Sequence, residues 1–266
     1  MKTVLSIAGF DPSSGAGVTA DLMVFAAHGL FGTSCITGLT VQSTLGVCGV
    51  ETVPPALILE TLECLESDLP PVGIKLGMLA SVATVQIVAD YLASLRGRDR
   101  NLVVVLDPVL RSSSGSTLVE RAGVEMMRER LLSLVDWVTP NLDELAMLTG
   151  RSSADRQDLP ALARELQGSA HQLNLVVTGG HLDTPDDFML TAGGNDQWFR
   201  GERIESRSTH GTGCAFSSAL LSRLVQGDDA AAAVLGAKAY VAEAIRRAEP
   251  IGHGTGPMCL LWPIQR

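Results

Sequence analysis

Six short aliphatic runs, at residues 4–8, 35–41, 72–76, 102–106, 137–139 and 175–178, are built mostly from Val, Ile, Leu and Ala. Their length and weak polar alternation predict strands buried on both faces. The stretches between them follow a helical period instead. In residues 81–95, Val82, Val85, Val88, Ala89, Leu92 and Leu95 recur at three- and four-residue spacing behind Ser81, whose hydroxyl suits a helix N-cap. Strand and helix thus alternate through residue 180. This predicts an α/β fold with right-handed crossovers, a mainly parallel central sheet and helices on both faces. Residues 183–205 break the rhythm. Turn signals at Thr184-Pro185-Asp186-Asp187 and Gly193-Gly194-Asn195-Asp196 separate short apolar stretches, so short antiparallel edge strands are expected there. Two helices then close the chain. No internal repeat, low-complexity tract or long linker divides residues 1–266, and a single domain is expected.

Composition narrows the picture. Hydrophobic residues make up 46% of the chain and aromatic ones only 4%, so the core is aliphatic, as strands sandwiched between helices require. A formal net charge of -9, with no basic run longer than Arg246-Arg247, repels phosphate backbones and argues against a nucleic-acid partner. The five cysteines, at 35, 48, 64, 214 and 259, are odd in number and lack CxxC spacing, which suggests neither a disulfide framework nor a zinc site. The apolar stretch at residues 4–10 is too short for a signal peptide, and no segment reaches membrane-spanning length. A soluble cytoplasmic protein is expected.

In such a sheet, ligands bind beyond the carboxyl ends of the strands, so the chemistry should lie in the loops just after them. The stretch Ser208-Thr209-His210-Gly211-Thr212-Gly213-Cys214 runs straight into an apolar-periodic helix through Phe216, Ala219, Leu220 and Leu224. Two glycines ahead of a helix let successive amides converge on an anion at the positive end of the dipole. A plain Gly-rich turn is the competing reading. Cys214, in the first helical turn, is expected to have a lowered thiol pKa, with an inert buried cysteine as the alternative.

After the first strand, Gly9-Phe10-Asp11-Pro12-Ser13-Ser14-Gly15-Ala16-Gly17 invites a nucleotide loop. It fits neither the Walker spacing nor the dinucleotide fingerprint. Gln42 offers a donor and an acceptor on one planar amide, suited to an aminopyrimidine edge, although a surface Gln would need no ligand. Asp107-Pro108-Val109 places a carboxylate at the ligand edge, near any metal or phosphate, or else simply forms a turn. Arg111-Ser112-Ser113-Ser114-Gly115-Ser116 reads as a small flexible lid with one cation, or as a plain loop. Asn141 and Glu144 have capping-box spacing, which is compatible with a water-mediated Mg²⁺ contact.

The motifs Gly9-x-Asp11-Pro12-Ser13-x-Gly15-Ala16-Gly17, Gln42, Gly77-Met78-Leu79, Asp107-Pro108-Val109, Thr139-Pro140-Asn141-x-x-Glu144, Gly179-Gly180-His181 and His210-Gly211-Thr212-Gly213-Cys214, taken in this order, resemble those of the hydroxymethylpyrimidine and phosphomethylpyrimidine kinases of thiamine synthesis. The likeness runs from Val4 to the Gly254-Thr255-Gly256-Pro257 tail. It implies a ribokinase-like fold, usually homodimeric, that uses ATP and Mg²⁺ to phosphorylate a hydroxymethylpyrimidine and then its monophosphate. By the same resemblance Asp11, Asp21, Gln42 and Met78 line the pyrimidine pocket. Asn141, Glu144, Thr178 and Gly180 attend ATP and Mg²⁺, with Lys238 a further nucleotide-side candidate. The Gly211-Thr212-Gly213 loop is implied as the anion hole, and Cys214 as the base where sugar kinases of this fold use Asp. Many relatives carry Lys where this chain has Ser113 and Thr178. Arg111 is expected to supply the missing charge. Two alternatives share these motifs: a pyridoxal kinase, and a non-catalytic sensor of thiamine precursors.

Overall fold

The computed structural model describes residues 1–99, 101–111, 119–170, 172–180 and 184–265. Its nine strands form one sheet. They are β1 (Thr3–Phe10), β2 (Phe31–Ser43), β3 (Gly46–Thr52), β4 (Gly73–Leu76), β5 (Val103–Leu106), β6 (Trp137–Val138), β7 (Asn174–Val177), β8 (Asp187–Leu190) and β9 (Asp196–Phe199). Their spatial order is β3-β2-β1-β4-β5-β6-β7-β8-β9. The pairs from β2 through β7 are parallel, whereas β3, β8 and β9 pair antiparallel at the two edges. All six predicted strands and the antiparallel edge after residue 183 are therefore present, and the fold class is as the aliphatic periodicity implied.

One departure concerns β3. The alternation of strand and helix is interrupted by a hairpin in which Ser43 faces Gly46 across the two residues Thr44 and Leu45. Neither residue is a usual hairpin former, which is why the turn carried no signal in the sequence. The resulting β2–β3 ribbon exposes Leu39, Val41, Leu45 and Val50.

The helices are α1 (Gly17–Ala27), α2 (Pro55–Asp68), α3 (Val82–Arg98), α4 (Arg121–Met126, running on into a π-helical turn), α5 (Leu142–Leu148), α6 (Leu159–Gly168), α7 (Thr212–Gln226) and α8 (Ala230–Arg246). Ser81 caps α3 as expected, accepting from Thr84 N–H, a bond of the kind that contributes about 1 kcal/mol. Side chains of α2 to α6 pack one apolar layer against the sheet, including Leu62, Leu92, Leu145 and Leu162. The other face is covered by α1, α7 and α8 through Phe25, Leu220 and Val234. Burial on both faces explains why the central strands read as unbroken aliphatic runs.

The chain leaves β1 toward β2 on one side and reaches β4 on the other, so β1 and β4 flank the point where strand order reverses. At such a point the loops beyond the carboxyl ends separate and leave a crevice.

Candidate active site

A cavity of about 410 Å³ opens at that crevice. Its walls come from the ends of β1, β2, β4, β5, β6 and β7 and from the start of α7.

The loop after β1 is shaped by Asp11. Its Oδ1 accepts from the Ser13 amide at 2.8 Å and the Ser13 hydroxyl at 2.7 Å. Its Oδ2 accepts from the Ala16 amide at 3.0 Å and lies 2.7 Å from His210 Nε2. Burial works against its charge, but His210 and Ser13 more than offset it and hold the carboxyl below its ordinary range. Gly17, at a φ of 62°, turns the chain into α1; a Cβ there would stand 2.3 Å from Gly9 O.

The loop before α7 docks onto this one. Gly211 caps the helix with φ 80°, and a Cβ on it would lie 1.9 Å from Gly15 O. Glycine is thus required by conformation and by space. The first helical bond of α7 runs from Ala215 N–H to Gly211 O, which leaves the amides of Thr212, Gly213 and Cys214 ahead of the ladder at its positive end. Gly211, Thr212, Gly213 and Cys214 all line the cavity. The glycine turn and the amides ahead of α7 therefore stand on the cavity wall, beyond the carboxyl ends of the strands.

Cys214 departs from expectation. Its thiol is pushed up to about 12, first by burial and then by the Asp107 and Asp21 carboxylates, against the opposing pull of Lys75 and the Gly17 amide. The helix dipole does not win here, because loss of water outweighs half a charge at the helix end. Cys214 rests as a thiol beside the Asp107 carboxylate.

The cavity lining includes a residue to which the sequence assigned no role. Lys75, in the middle of β4, is fully buried and ion-paired with Asp21 at 3.0 Å and with Asp107 at 3.8 Å. Its only signal in the sequence was a charge inside an aliphatic run. Asp21 also accepts from Ser6 at 2.6 Å and Ser218 at 2.8 Å. This corrects its expected place: Asp21 is wholly buried under the floor and is not part of the cavity wall. Met78, Gln42 and Asp11 do reach the wall.

On the other side, Asn141 and Glu144 form a reciprocal capping box on α5, each bond 2.9 Å. Both face the cavity, as do Asp107, Arg111 and Thr178. Glu144 is pushed up to about 8 by burial and by Asp107, and Asp107 is itself raised by burial. Two carboxyls crowded in this way favour a cation between them. Among the described residues no group of three His, Cys, Asp or Glu side chains could hold a metal. Asp107 and Glu144 offer carboxylate oxygens, the donor type that Mg²⁺ takes alongside water and phosphate.

Two nucleotide-side candidates are not in the wall. Gly180 lies on an exposed turn beyond β7. The Lys238 ammonium donates to Asp187 Oδ2 and to Pro185 O, both at 2.6 Å, while Asp187 Oδ1 accepts from the Gly179 amide at 2.8 Å. Lys238 thus braces the Gly179 turn from behind. His181 and the lid from Ser112 to Ser116 lie outside the described residues.

The model of the family described as phosphomethylpyrimidine kinase matches residues 11–259. This chain belongs to that family. Among its curated relatives, the hydroxymethylpyrimidine/phosphomethylpyrimidine kinase of Haemophilus influenzae is 37% identical, over 97% of this chain and 96% of that protein. The thiamine biosynthesis bifunctional protein ThiED of Geobacter sulfurreducens is 40% identical over 96% of this chain, which spans 51% of that longer protein. Staphylococcus aureus pyridoxal kinase, solved in complex with AMP-PCP and pyridoxal, superposes with a TM-score of 0.85 at 27% identity, over 98% of this chain and 94% of that one. The ribokinase-like fold of this family is the one seen here.

Proposed function

We propose that this family member transfers the ATP γ-phosphate to the hydroxymethyl group of 4-amino-5-hydroxymethyl-2-methylpyrimidine, and then phosphorylates the monophosphate, in the cytoplasm as one kinase domain. The observation that carries this is the meeting of three features on one cavity: free helix-end amides at 212–214, the Cys214 thiol and the planar amide of Gln42.

The roles follow from placement. Met78 and Gln42 bind the pyrimidine, and Asp11 supports that wall. The Gly211–Cys214 amides stabilise the charge on the transferring phosphoryl group, where such donors contribute most. Thr178 and Asn141 lie toward the nucleotide, Arg111 faces its phosphates, and Gly180 and Lys238 serve that side at most by shaping the turn. Mg²⁺ bound near Asp107 and Glu144 would neutralise phosphate charge. Because Cys214 rests protonated, it takes the substrate hydroxyl proton as its own proton passes to the Asp107 carboxylate. In the second transfer a phosphate oxygen attacks, so this relay matters less. A homodimer through the exposed apolar β2–β3 ribbon completes the reading, and sedimentation of the native protein tests it.

Pyridoxal kinase is the second reading, favoured by the superposition on the Staphylococcus aureus enzyme. Incubation with ATP and, in turn, the hydroxymethylpyrimidine, its monophosphate and pyridoxal, with ADP release as readout, decides between them. Turnover of pyridoxal alone overturns the pyrimidine assignment. Binding of the pyrimidine with no ADP formed from any of the three restores the sensor.

A further inference from the structure

Four donors surround the Asp11 carboxylate: the Ser13 amide and hydroxyl, the Ala16 amide and His210 Nε2. A carboxylate has about four lone-pair sites, and Asp11 is 3% exposed, so it has no acceptor capacity left for a ligand. Its effect on the cavity must pass through His210.

With Asp11 accepting, His210 Nε2 carries the hydrogen. The same nitrogen lies 3.0 Å from the terminal amide of Gln42. If the amide NH₂ faced it, two donors would oppose each other. The carbonyl must face it instead, a half-turn about the last side-chain torsion that leaves the heavy-atom outline unchanged. The other half of the amide then faces Thr40 Oγ1 at 3.1 Å. That hydroxyl gives its one proton to Phe10 O at 3.0 Å and keeps lone pairs for an N–H of Gln42. In this orientation the one Nε2–H is shared between Asp11 and the Gln42 carbonyl, and the amide N–H has Thr40 Oγ1 as its acceptor; in the opposite one, an amide N–H faces a nitrogen with no lone pair to accept it.

We infer that the Asp11–His210 pair is a positioning device that locks the Gln42 amide with its carbonyl on the His210 side and its NH₂ on the Thr40 side, and thereby selects which heterocycle edge the cavity accepts. The inference deepens the kinase reading and rests on it. Toward the cavity the locked amide offers one acceptor and one donor. A 4-aminopyrimidine matches them with its exocyclic amine and adjacent ring nitrogen. The 4-oxo analogue, in its lactam form, presents carbonyl and ring N–H, the reverse pattern. To bind it, Gln42 would have to turn its NH₂ onto His210 Nε2–H. Pyridoxal carries no ring nitrogen next to its ring hydroxyl and cannot engage both halves of the amide. Gly15 is part of the device, because a Cβ there would meet the His210 ring at 2.2 Å.

The test is the ratio of dissociation constants for 4-amino-5-hydroxymethyl-2-methylpyrimidine and its 4-oxo counterpart, measured by calorimetry without ATP. Wild-type protein should prefer the amine by on the order of 10²-fold or more, since a site built around specific donors leaves them unpaired with the wrong ligand. In His210→Ala and in Asp11→Asn, Gln42 is free to turn, and the ratio should fall to within about 10-fold, chiefly through tighter binding of the oxo compound. A general loss of cavity shape would weaken both ligands and leave the ratio unchanged. An unchanged ratio in a folded variant overturns the inference, and so does equal wild-type affinity for the two compounds, which needs no variant. If wild-type protein binds neither pyrimidine, the kinase reading falls and takes the inference with it.

Discussion

Lys75 Nζ lies 3.0 Å from Asp21 Oδ2 with both side chains fully withdrawn from water. The same ammonium is 3.8 Å from Asp107, so one buried cation serves two buried carboxylates directly under Cys214. Burial alone would strip the charge from Lys75, but Asp21 above all, with further help from Asp107, holds its pKa above the ordinary value. Removing one partner of a buried pair leaves an uncompensated charge. Lys75→Met should therefore destabilise the protein by about 3–5 kcal/mol in urea unfolding. A loss below about 1 kcal/mol, the range of exposed pairs, would mean the network carries little of the fold.

The Cys214 thiol, pushed up to about 12, should be alkylated slowly by iodoacetamide at neutral pH and faster through pH 10 without a plateau. Peptide mapping separates it from the exposed Cys48 and Cys64. In the kinase assay, Cys214→Ala should lose roughly 10²- to 10⁴-fold in the first transfer and less in the second. Equal losses in both would remove the proton role.

Glu144 ionises at about 8 instead of its ordinary 4.5, chiefly because it is buried and secondly because Asp107 is near. Between those values the folded state holds a proton that the unfolded state has released. Its contribution to stability is then complete below about pH 4.5 and is lost as pH rises toward 8. Glu144→Gln should flatten that part of the stability profile, as read by thermal unfolding across pH. Mg²⁺ and ATP should lower the Glu144 pKa, so their binding releases protons, which calorimetry in buffers of different ionisation enthalpy would record.

Gly211 at φ 80° leaves no room for a side chain against Gly15 O. Gly211→Ala should move the 212–214 amides and cost roughly 10²- to 10³-fold in kcat, comparable to removal of an oxyanion donor. A thermal melt shows whether the fold survives. Wild-type turnover in this variant would detach the amides from catalysis.

Arg111 faces the cavity on the side expected for the nucleotide phosphates. Arg111→Ala should raise the ATP KM and lower kcat/KM by about 10- to 100-fold, as loss of a charge-assisted phosphate contact would. Unchanged ATP kinetics would assign charge neutralisation to other groups.

The aliphatic runs, the helical spacing behind Ser81 and the glycines at 211 and 213 determined the sheet, its covering helices and the glycine-capped start of α7, because short-range periodicity and backbone freedom are written in neighbouring residues. The capping box of Asn141 and Glu144 was legible for the same reason. What lay beyond the sequence depends on residues far apart along the chain. Asp21 looked like a pocket residue until β4 brought Lys75 against it, 54 positions away. Cys214 looked like a thiolate until burial and two carboxylates outweighed the helix dipole. Asp11 and His210 are separated by 199 positions, and only the docking of two glycine loops makes them one hydrogen-bonded unit. Local pattern sets which elements form; desolvation and the pairing of distant charges, which exist only once those elements pack, decide the chemical state of each group in the site.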